Sequence, residues 1–298
     1  MNIFVAGKTG QLAFSLIELA DEFGVNITCH EPPELDLTDA EATIAYVIAA
    51  KPDMIINAAA YTAVDKAEND KELCFSINEG GAQALAKAAF VLNIPMLHVS
   101  TDYVFEGSKE GVYVEGDPTG PTGVYGASKL AGDVAAASIH DKLCTFRTAW
   151  VYSPFGNNFL KTMLTVSKSR DTLGVVGDQW GNPTYAPDIA RGLLSVAKQI
   201  TGTGWQDDYA GTYHMVGTGD TTWHAFATEI FKHAHQEHKH PMPKVNNLTT
   251  DEYPTPTKRP ANSRLNCDKL YKKFGVKLPH WTDSTKNCID RLFQAKEF

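Results

Sequence analysis

Thr101, Tyr125 and Lys129 are the residues of this chain best suited to moving a proton. Tyr125 and Lys129 stand four residues apart in VYGASKL, so on a helix they share one face, one turn apart. A phenol with a pKa of about 10 exchanges its proton poorly at neutral pH. A neighbouring ammonium stabilises the phenolate and makes the group a usable acid or base. Thr101 lies at the end of IPMLHVSTD, which reads as a β-strand closing in a Ser/Thr cluster, and such an end can set a hydroxyl beside the phenol. A YxxxK pair alone is common on ordinary surface helices. A glycine turn at the N-terminus changes its weight.

That turn is GKTGQLA, residues 7–13. It follows the apolar run MNIFVA and precedes FSLIELADEFG, which has helical spacing. Strand, glycine turn and helix are the context that a dinucleotide fingerprint requires. Gly7 allows the tight turn, and Gly10 lets the backbone approach a pyrophosphate at a helix N-terminus, where free N–H groups and the dipole favour negative charge. Ala13 is small enough for close helix–strand packing. The glycines are spaced GxxG rather than GxG. Gln11 follows Gly10 where a P-loop needs lysine. The competing reading is a tight strand–helix turn with no ligand.

Those residues need a scaffold that brings strand ends together. MNIFVA, VNITCH, PDMIINAA and IPMLHVS read as strands. The intervening segments read as helices: one to about Phe23, AEATIAYVIAAK capped by Thr38 or Asp39, and one from about Leu73 to Leu92. This alternation predicts a parallel sheet with helices on both faces. Ligands then belong at the carboxyl ends of the strands, where Gly7, Asp36, Ala58 to Thr62 and Thr101 fall. After the strand LCTFRTAWVYS the pattern loosens into loops and short helices. The expected division is a doubly wound, Rossmann-type α/β domain over 1–150, with roughly 186–200 returning to it, and a smaller α/β substrate-binding lobe over 151–298.

Bulk composition narrows the classes. Hydrophobic residues make up 43% and charged residues 21%, ordinary for a globular protein. A net charge of −8 disfavours non-specific nucleic-acid binding. No apolar stretch reaches the ~20 residues that span a bilayer, and no basic leader precedes the first strand. The five cysteines lack a CxxC and read as free thiols of a reducing, cytoplasmic setting. The tract HAHQEHKH (233–240) holds His233, His235, His238 and His240. Its expected role is a solvated helix end, because a metal site needs converging ligands and not a local count.

With these blocks assembled, the chain resembles the extended short-chain dehydrogenases/reductases and, within them, the dTDP-4-dehydrorhamnose reductase family. The resemblance runs through GKTGQLA, INAAAYTAVDKAE, STDYVFEG, VYGASKLAGD, FRTAWVY, GNNFLKTML, VGDQWGNPT and YPTPTKRPANSRLN. It implies Thr101, Tyr125 and Lys129 as a catalytic trio acting on a dTDP-sugar with NADPH, NADH being a possible alternative. It implies Gly7, Thr9, Gly10, Gln11 and Leu12 at the pyrophosphate and Asp36 and Leu37 beside the adenine. Ala58, Ala59, Ala60, Tyr61 and Thr62 would line the cofactor cleft, which Tyr125 and Lys129 also reach. Val64, Thr101, Tyr103 and Trp150 would face the sugar. Arg259 would contact the substrate diphosphate, and Lys258 is its neighbour on the same loop; both also read as plain surface charge.

Three questions stay open at this level. The strand ending Cys29-His30-Glu31 favours NADPH if His30 takes the ribose-facing place and disfavours it if Glu31 does. Some relatives hold a divalent metal between subunits through glutamates, but Ser15 and Pro187 stand in two of those places. The expectation is therefore no metal, and a monomer or a metal-independent homodimer. Rival functions on the same fold are a non-catalytic NADP-binding regulatory subunit, like the β subunit of methionine adenosyltransferase, and a nucleotide-sugar epimerase or dehydratase. A dehydratase needs an acid near the catalytic hydroxyl. Asp102 is discounted for that place because adjacent strand residues point to opposite faces.

Overall fold

The computed structural model describes residues 1–298, and its first half alternates strand and helix. In chain order it contains β1 (Asn2–Ala6), α1 (Gln11–Phe23), β2 (Asn26–His30), α2 (Ala40–Ala50) and β3 (Met54–Asn57). Short helices α3 (Val64–Ala67) and α4 (Lys71–Phe75) lead into a π-helical segment (Ser76–Gly81), α5 (Ala82–Leu92) and β4 (Met96–Thr101). A 3-10 turn (Asp102–Val104), α6 (Val124–Ile139) and β5 (Leu143–Thr148) follow. The second half holds β6 (Val151–Tyr152), α7 (Phe159–Val166), β7 (Thr172–Val176), β8 (Trp180–Gly181), β9 (Thr184–Tyr185) and α8 (Ala186–Thr203). It ends with β10 (Gly211–His214), β11 (Thr221–Thr222), α9 (Trp223–His238), β12 (Lys244–Leu248), α10 (Asp268–Phe274) and α11 (Trp281–Gln294).

Six strands form one parallel sheet in the order β10-β5-β4-β3-β1-β2. After β1 the chain adds β2 on one side and then crosses to add β3 on the other. That reversal opens a crevice beyond the ends of β1 and β3. Alternation within β1 assigns the two cores. Ile3 and Val5 join Leu16, Ile56, Leu97, Phe146 and Leu193 on the α1/α8 face. Phe4 joins Ile55, Leu85, Ala89, Met96 and Leu143 on the face of α2, α5 and α6. Both faces being covered, β3 is buried at every position. Truncating a side chain such as Phe146 to alanine costs about 3–5 kcal/mol at such a site.

A separate core forms in the second half, where Tyr152, Leu160, Phe226, Ile230, Ile289 and Leu292 bring α7, α9 and α11 together. β10 adds to the sheet beside β5, a strand that a division at residue 150 leaves out.

Two local expectations are corrected and one open choice is decided. Residues 143–153 are not one strand: Trp150 adopts φ 50°, and the chain leaves the sheet there to pair as β6 with β9. The segment 73–92 is not one regular helix, because the π-helical segment widens it at Ser76–Gly81. Of the two candidate caps for α2, Asp39 accepts from Ala42 N, while Thr38 donates to Asp36. All five cysteines are free thiols. No helix is long and apolar enough to cross a membrane.

Candidate active site

The glycine turn joins β1 to α1 at the crevice. Gly7 has φ +103°, and a Cβ there would lie 3.3 Å from the Ala58 carbonyl carbon, so the position needs glycine. Helix α1 starts at Gly10 with no side-chain cap and no acidic residue in its first turn. Its first N–H groups are therefore left for an anion. The chain supplies a partial stand-in: Glu31 Oε2 accepts from Thr9 N at 3.0 Å and from Thr9 Oγ1 at 2.8 Å. The Thr9 hydroxyl, with backbone N–H groups of the turn, holds the Glu31 carboxyl below its ordinary pKa. His30 instead stacks on Phe4 at 4.2 Å and hydrogen-bonds the Tyr46 hydroxyl at 3.1 Å.

A cleft of about 500 Å³ runs over this turn. Gly7, Thr9, Gly10, Gln11, Leu12, Asp36, Leu37, Ala58, Ala59, Ala60 and Thr62 all line it. Tyr61 does not. Its hydroxyl donates to Asp70 at 2.7 Å and its N–H to Asn78 Oδ1 at 2.8 Å, so its ring is held away from the cleft. Gly156 and Asn157 join the lining unannounced by the first-half motifs. Gln11 explains their approach: its Oε1 accepts from Ser153 Oγ at 2.7 Å and Asn158 Nδ2 at 3.1 Å, tying the turn to the 153–158 loop.

Thr101 ends β4, which pairs with β3, and Tyr125 and Lys129 stand on α6. Thr101 is 6% exposed and Lys129 2%. The Tyr125 ring packs edge-on against Tyr103, with centroids 5.5 Å apart. Gly126 makes this possible, since a Cβ there would fall 2.2 Å from the Tyr103 carbonyl oxygen. Burial pushes the Tyr125 phenol well above its ordinary pKa, and a hydrogen bond with the Thr101 hydroxyl pulls the other way. Lys129 is not among the groups lowering it. Its Nζ donates to the Val99 carbonyl at 2.8 Å, and burial depresses the ammonium while the charge of Asp133 supports it. The sequence expectation that Lys129 tunes Tyr125 is thus not expressed as a downward shift in this structure.

Asp102 corrects another expectation. β4 ends at Thr101, and the 3-10 turn that follows breaks the strand alternation. Thr101 Oγ1 donates to Asp102 Oδ1 at 3.0 Å, and Asp102 is 4% exposed. Burial pushes its carboxyl up to about 6, against the pull of the Ser263 and Thr101 hydroxyls. An acid does stand beside the catalytic hydroxyl candidate.

A second cleft, of about 720 Å³, opens on the other side of Thr62, which lines both. Of the residues expected at the sugar, Val64, Tyr103 and Trp150 line it and Thr101 does not; Arg259, expected at the diphosphate, lines it too. Trp150 stacks face to face on Trp223 at 3.6 Å and 9°. Arg259 donates to Asp65 at 2.7 Å and lies 3.5 Å from the Tyr103 hydroxyl. Lys258 is exposed and is not part of the lining. Trp223, Gln179, Tyr253 and Ser263 are lining residues that sequence reasoning did not single out. The blocks VGDQWGNPT and YPTPTKRPANSRLN carried the signal for three of them.

A family model described as the RmlD substrate binding domain matches residues 1–294. The dTDP-4-dehydrorhamnose reductase of Sinorhizobium fredii is 43% identical over 289 residues, 97% of each chain. Among solved structures, a dTDP-4-dehydrorhamnose reductase of Clostridium acetobutylicum is 35% identical with a TM-score of 0.90, covering 98% of this chain and all of that one. The Bacillus anthracis reductase, solved in complex with NADP, is 32% identical with a TM-score of 0.88, covering 97% of this chain and 99% of that one. On a match that spans nearly its whole length, this chain belongs to the RmlD substrate-binding-domain family.

Proposed function

We propose that this protein reduces the 4-keto group of dTDP-4-dehydro-L-rhamnose to give dTDP-L-rhamnose, with NADPH as hydride donor. The observation that carries the reading is the placement of Thr101 at the end of β4 and of Tyr125 on α6, its ring packed on Tyr103 of the sugar cleft, which shares Thr62 with the cofactor cleft. The names of its relatives point to the same reaction.

The cofactor fits the residues present. The uncapped start of α1 offers N–H groups to a pyrophosphate, and the Glu31 carboxylate bonded at Thr9 is an anion already accepted by that turn. Gly7, Thr9, Gly10, Gln11 and Leu12 would hold the pyrophosphate, with Asp36 and Leu37 beside the adenine. His30, turned onto Phe4, presents no carboxylate to a 2′-phosphate, which supports NADPH. When bound, the nicotinamide supplies the hydride.

The rest is this chain's work. Reduction requires a phenol that arrives protonated, and burial of Tyr125 keeps it so at neutral pH. Tyr125 donates its proton to the carbonyl oxygen as negative charge builds there. Thr101 would hydrogen-bond and orient the same carbonyl oxygen. Lys129, one helical turn on and held at the Val99 carbonyl, would supply a donor for the nicotinamide ribose. Trp150, braced by Trp223, forms an apolar wall suited to a 6-deoxy sugar. Arg259 keeps donors free beyond its pair with Asp65 and suits a diphosphate.

Assembly is read as independent of metal. Ser15 is buried with its hydroxyl on the Gln11 carbonyl, and Pro187 occupies the first turn of α8. Neither is a carboxylate of the kind that holds Mg²⁺. Following absorbance of NADPH on addition of the keto sugar tests the activity. Oxidation in step with formation of dTDP-L-rhamnose is the expected outcome. Binding of NADPH without oxidation would instead fit a regulatory subunit.

A further inference from the structure

The four histidines of 233–240 divide into two pairs. His235 Nδ1 bonds the His240 carbonyl at 2.9 Å, and His240 Nε2 bonds Ser167 Oγ at 2.8 Å and the Leu164 carbonyl at 3.0 Å. His235, Gln236, Glu237 and Lys239 are exposed, as a solvated helix end requires, but His240 beyond it is only 5% exposed. These two fasten the end of α9 to α7 and are spent in doing so.

His233 and His238 turn to α11. Both present Nε2 to the same oxygen, Asp290 Oδ1, at 2.8 and 2.7 Å. One ligand atom from each of the three residues lies within 4.8 Å of the other two. The His238 ring is held by stacking on Phe293, with centroids 4.3 Å apart and planes 2° from parallel. Asp290 remains 38% exposed at its side chain, which leaves the cluster open to solvent on one side.

We propose that His233, His238 and Asp290 form a binding site for a divalent transition-metal ion of the zinc class, separate from the reductase site. Two imidazole nitrogens and one carboxylate oxygen make a three-ligand set that leaves a fourth tetrahedral position for water. Imidazole donors select against Mg²⁺ and Ca²⁺, which take oxygen ligands. Bonds of about 2.0–2.1 Å in tetrahedral geometry put ligand atoms about 3.3 Å apart, so the N···O distances need to open by about half an ångström. Rotation of a partly exposed aspartate supplies that. The ion would tie α9 to α11, and the next residue, Arg291, pairs with Glu18 of α1. One helix would then be fastened both to the second core and to the sheet domain.

The test uses the full-length chain without a polyhistidine tag, titrated calorimetrically with Zn²⁺ alone and, in parallel, with Mg²⁺. The expected result is about one Zn²⁺ per chain, no heat with Mg²⁺, and a thermal midpoint raised by Zn²⁺ and restored by EDTA. His238→Gln and Asp290→Asn should each abolish that binding and the midpoint rise, while NADPH oxidation stays at the wild-type rate. A tetrahedral Co²⁺ absorption spectrum, lost in both variants, would add the geometry. If wild type binds no Zn²⁺, the cluster is a hydrogen-bonded triad and the proposal fails. It fails equally if both variants, shown folded by circular dichroism, bind as wild type does, because the ion then sits elsewhere, as at a thiol such as Cys29.

Discussion

Thr62 lines both clefts, yet the two are built by different means. The cofactor cleft centres on backbone: a glycine turn, an uncapped helix start and the Ala58–Ala60 run after β3, with side chains from β2 and the loop that follows it along one wall. Its parts lie at successive strand ends of one sheet and come mainly from the first 77 residues. The sugar cleft is mostly side chains, drawn from residues 62–65, 103, 150 and a series of segments from 159 to 263. It depends on Trp150 leaving the sheet at φ 50° to stack on Trp223, and on the loop that carries Arg259. Backbone recognition demands small residues at fixed spacing. Side-chain recognition demands that remote segments meet, and tolerates more variation in each.

Substitutions can break that contrast, beginning where both clefts depend on one group. Tyr125→Phe removes the proton donor without touching either lining, and kcat should fall about 10²–10⁴-fold. NADPH affinity by fluorescence titration should stay unchanged; a variant keeping more than half of wild-type turnover would take Tyr125 out of the reaction. Gly10→Val addresses the cofactor side alone. No atom lies within 4 Å of a Cβ at Gly10, so the fold should survive. The side chain would stand where the backbone must meet phosphate, weakening NADPH by about 10²-fold through lost charge-assisted bonds. Equal affinity in a folded variant would mean the turn is only structural. Arg259→Ala addresses the sugar side alone. We expect a rise of about tenfold in KM for the dTDP-sugar with NADPH KM unchanged, from steady-state rates with each substrate varied. A change in the NADPH constant would show that the two clefts are not separable.

The legibility of the sequence follows the same division. GKTGQLA and YGASK could be read because their chemistry is local: spacing alone sets the turn and the shared helix face. Asp102 was misplaced because the strand rule was carried one residue past the end of β4, into a 3-10 turn. The break at Trp150 was hidden inside LCTFRTAWVYS, a run whose β propensity is continuous, and tertiary stacking decides it. The tract 233–240 was taken for a solvated end because its partner, Asp290, stands on another helix far along the chain. Tyr61 was assigned to the cleft from its neighbours, but Asp70 and Asn78 hold it elsewhere.

Asp102 gives a separate check on the electrostatics, read in stability rather than in rate. Its folded pKa, about 6, is raised above the unfolded value near 3.9. The native state therefore binds the proton more tightly. This contribution is fully present below about pH 4 and is lost as pH rises through about 6. It amounts to something on the order of 3 kcal/mol. Urea unfolding at several pH values across that window should show wild type losing stability relative to Asp102→Asn, which lacks the titration. Parallel curves would mean that Asp102 is ionised throughout.

The central claim is that the two clefts meet over one reacting carbon. NADPH carrying deuterium at both C4 positions of its nicotinamide, incubated with dTDP-4-dehydro-L-rhamnose and this protein, tests it most directly. Mass spectrometry and proton NMR of the product should find one deuterium, at C4 of the rhamnosyl unit. A sugar recovered without deuterium, with the labelled NADPH bound but intact, would contradict the account.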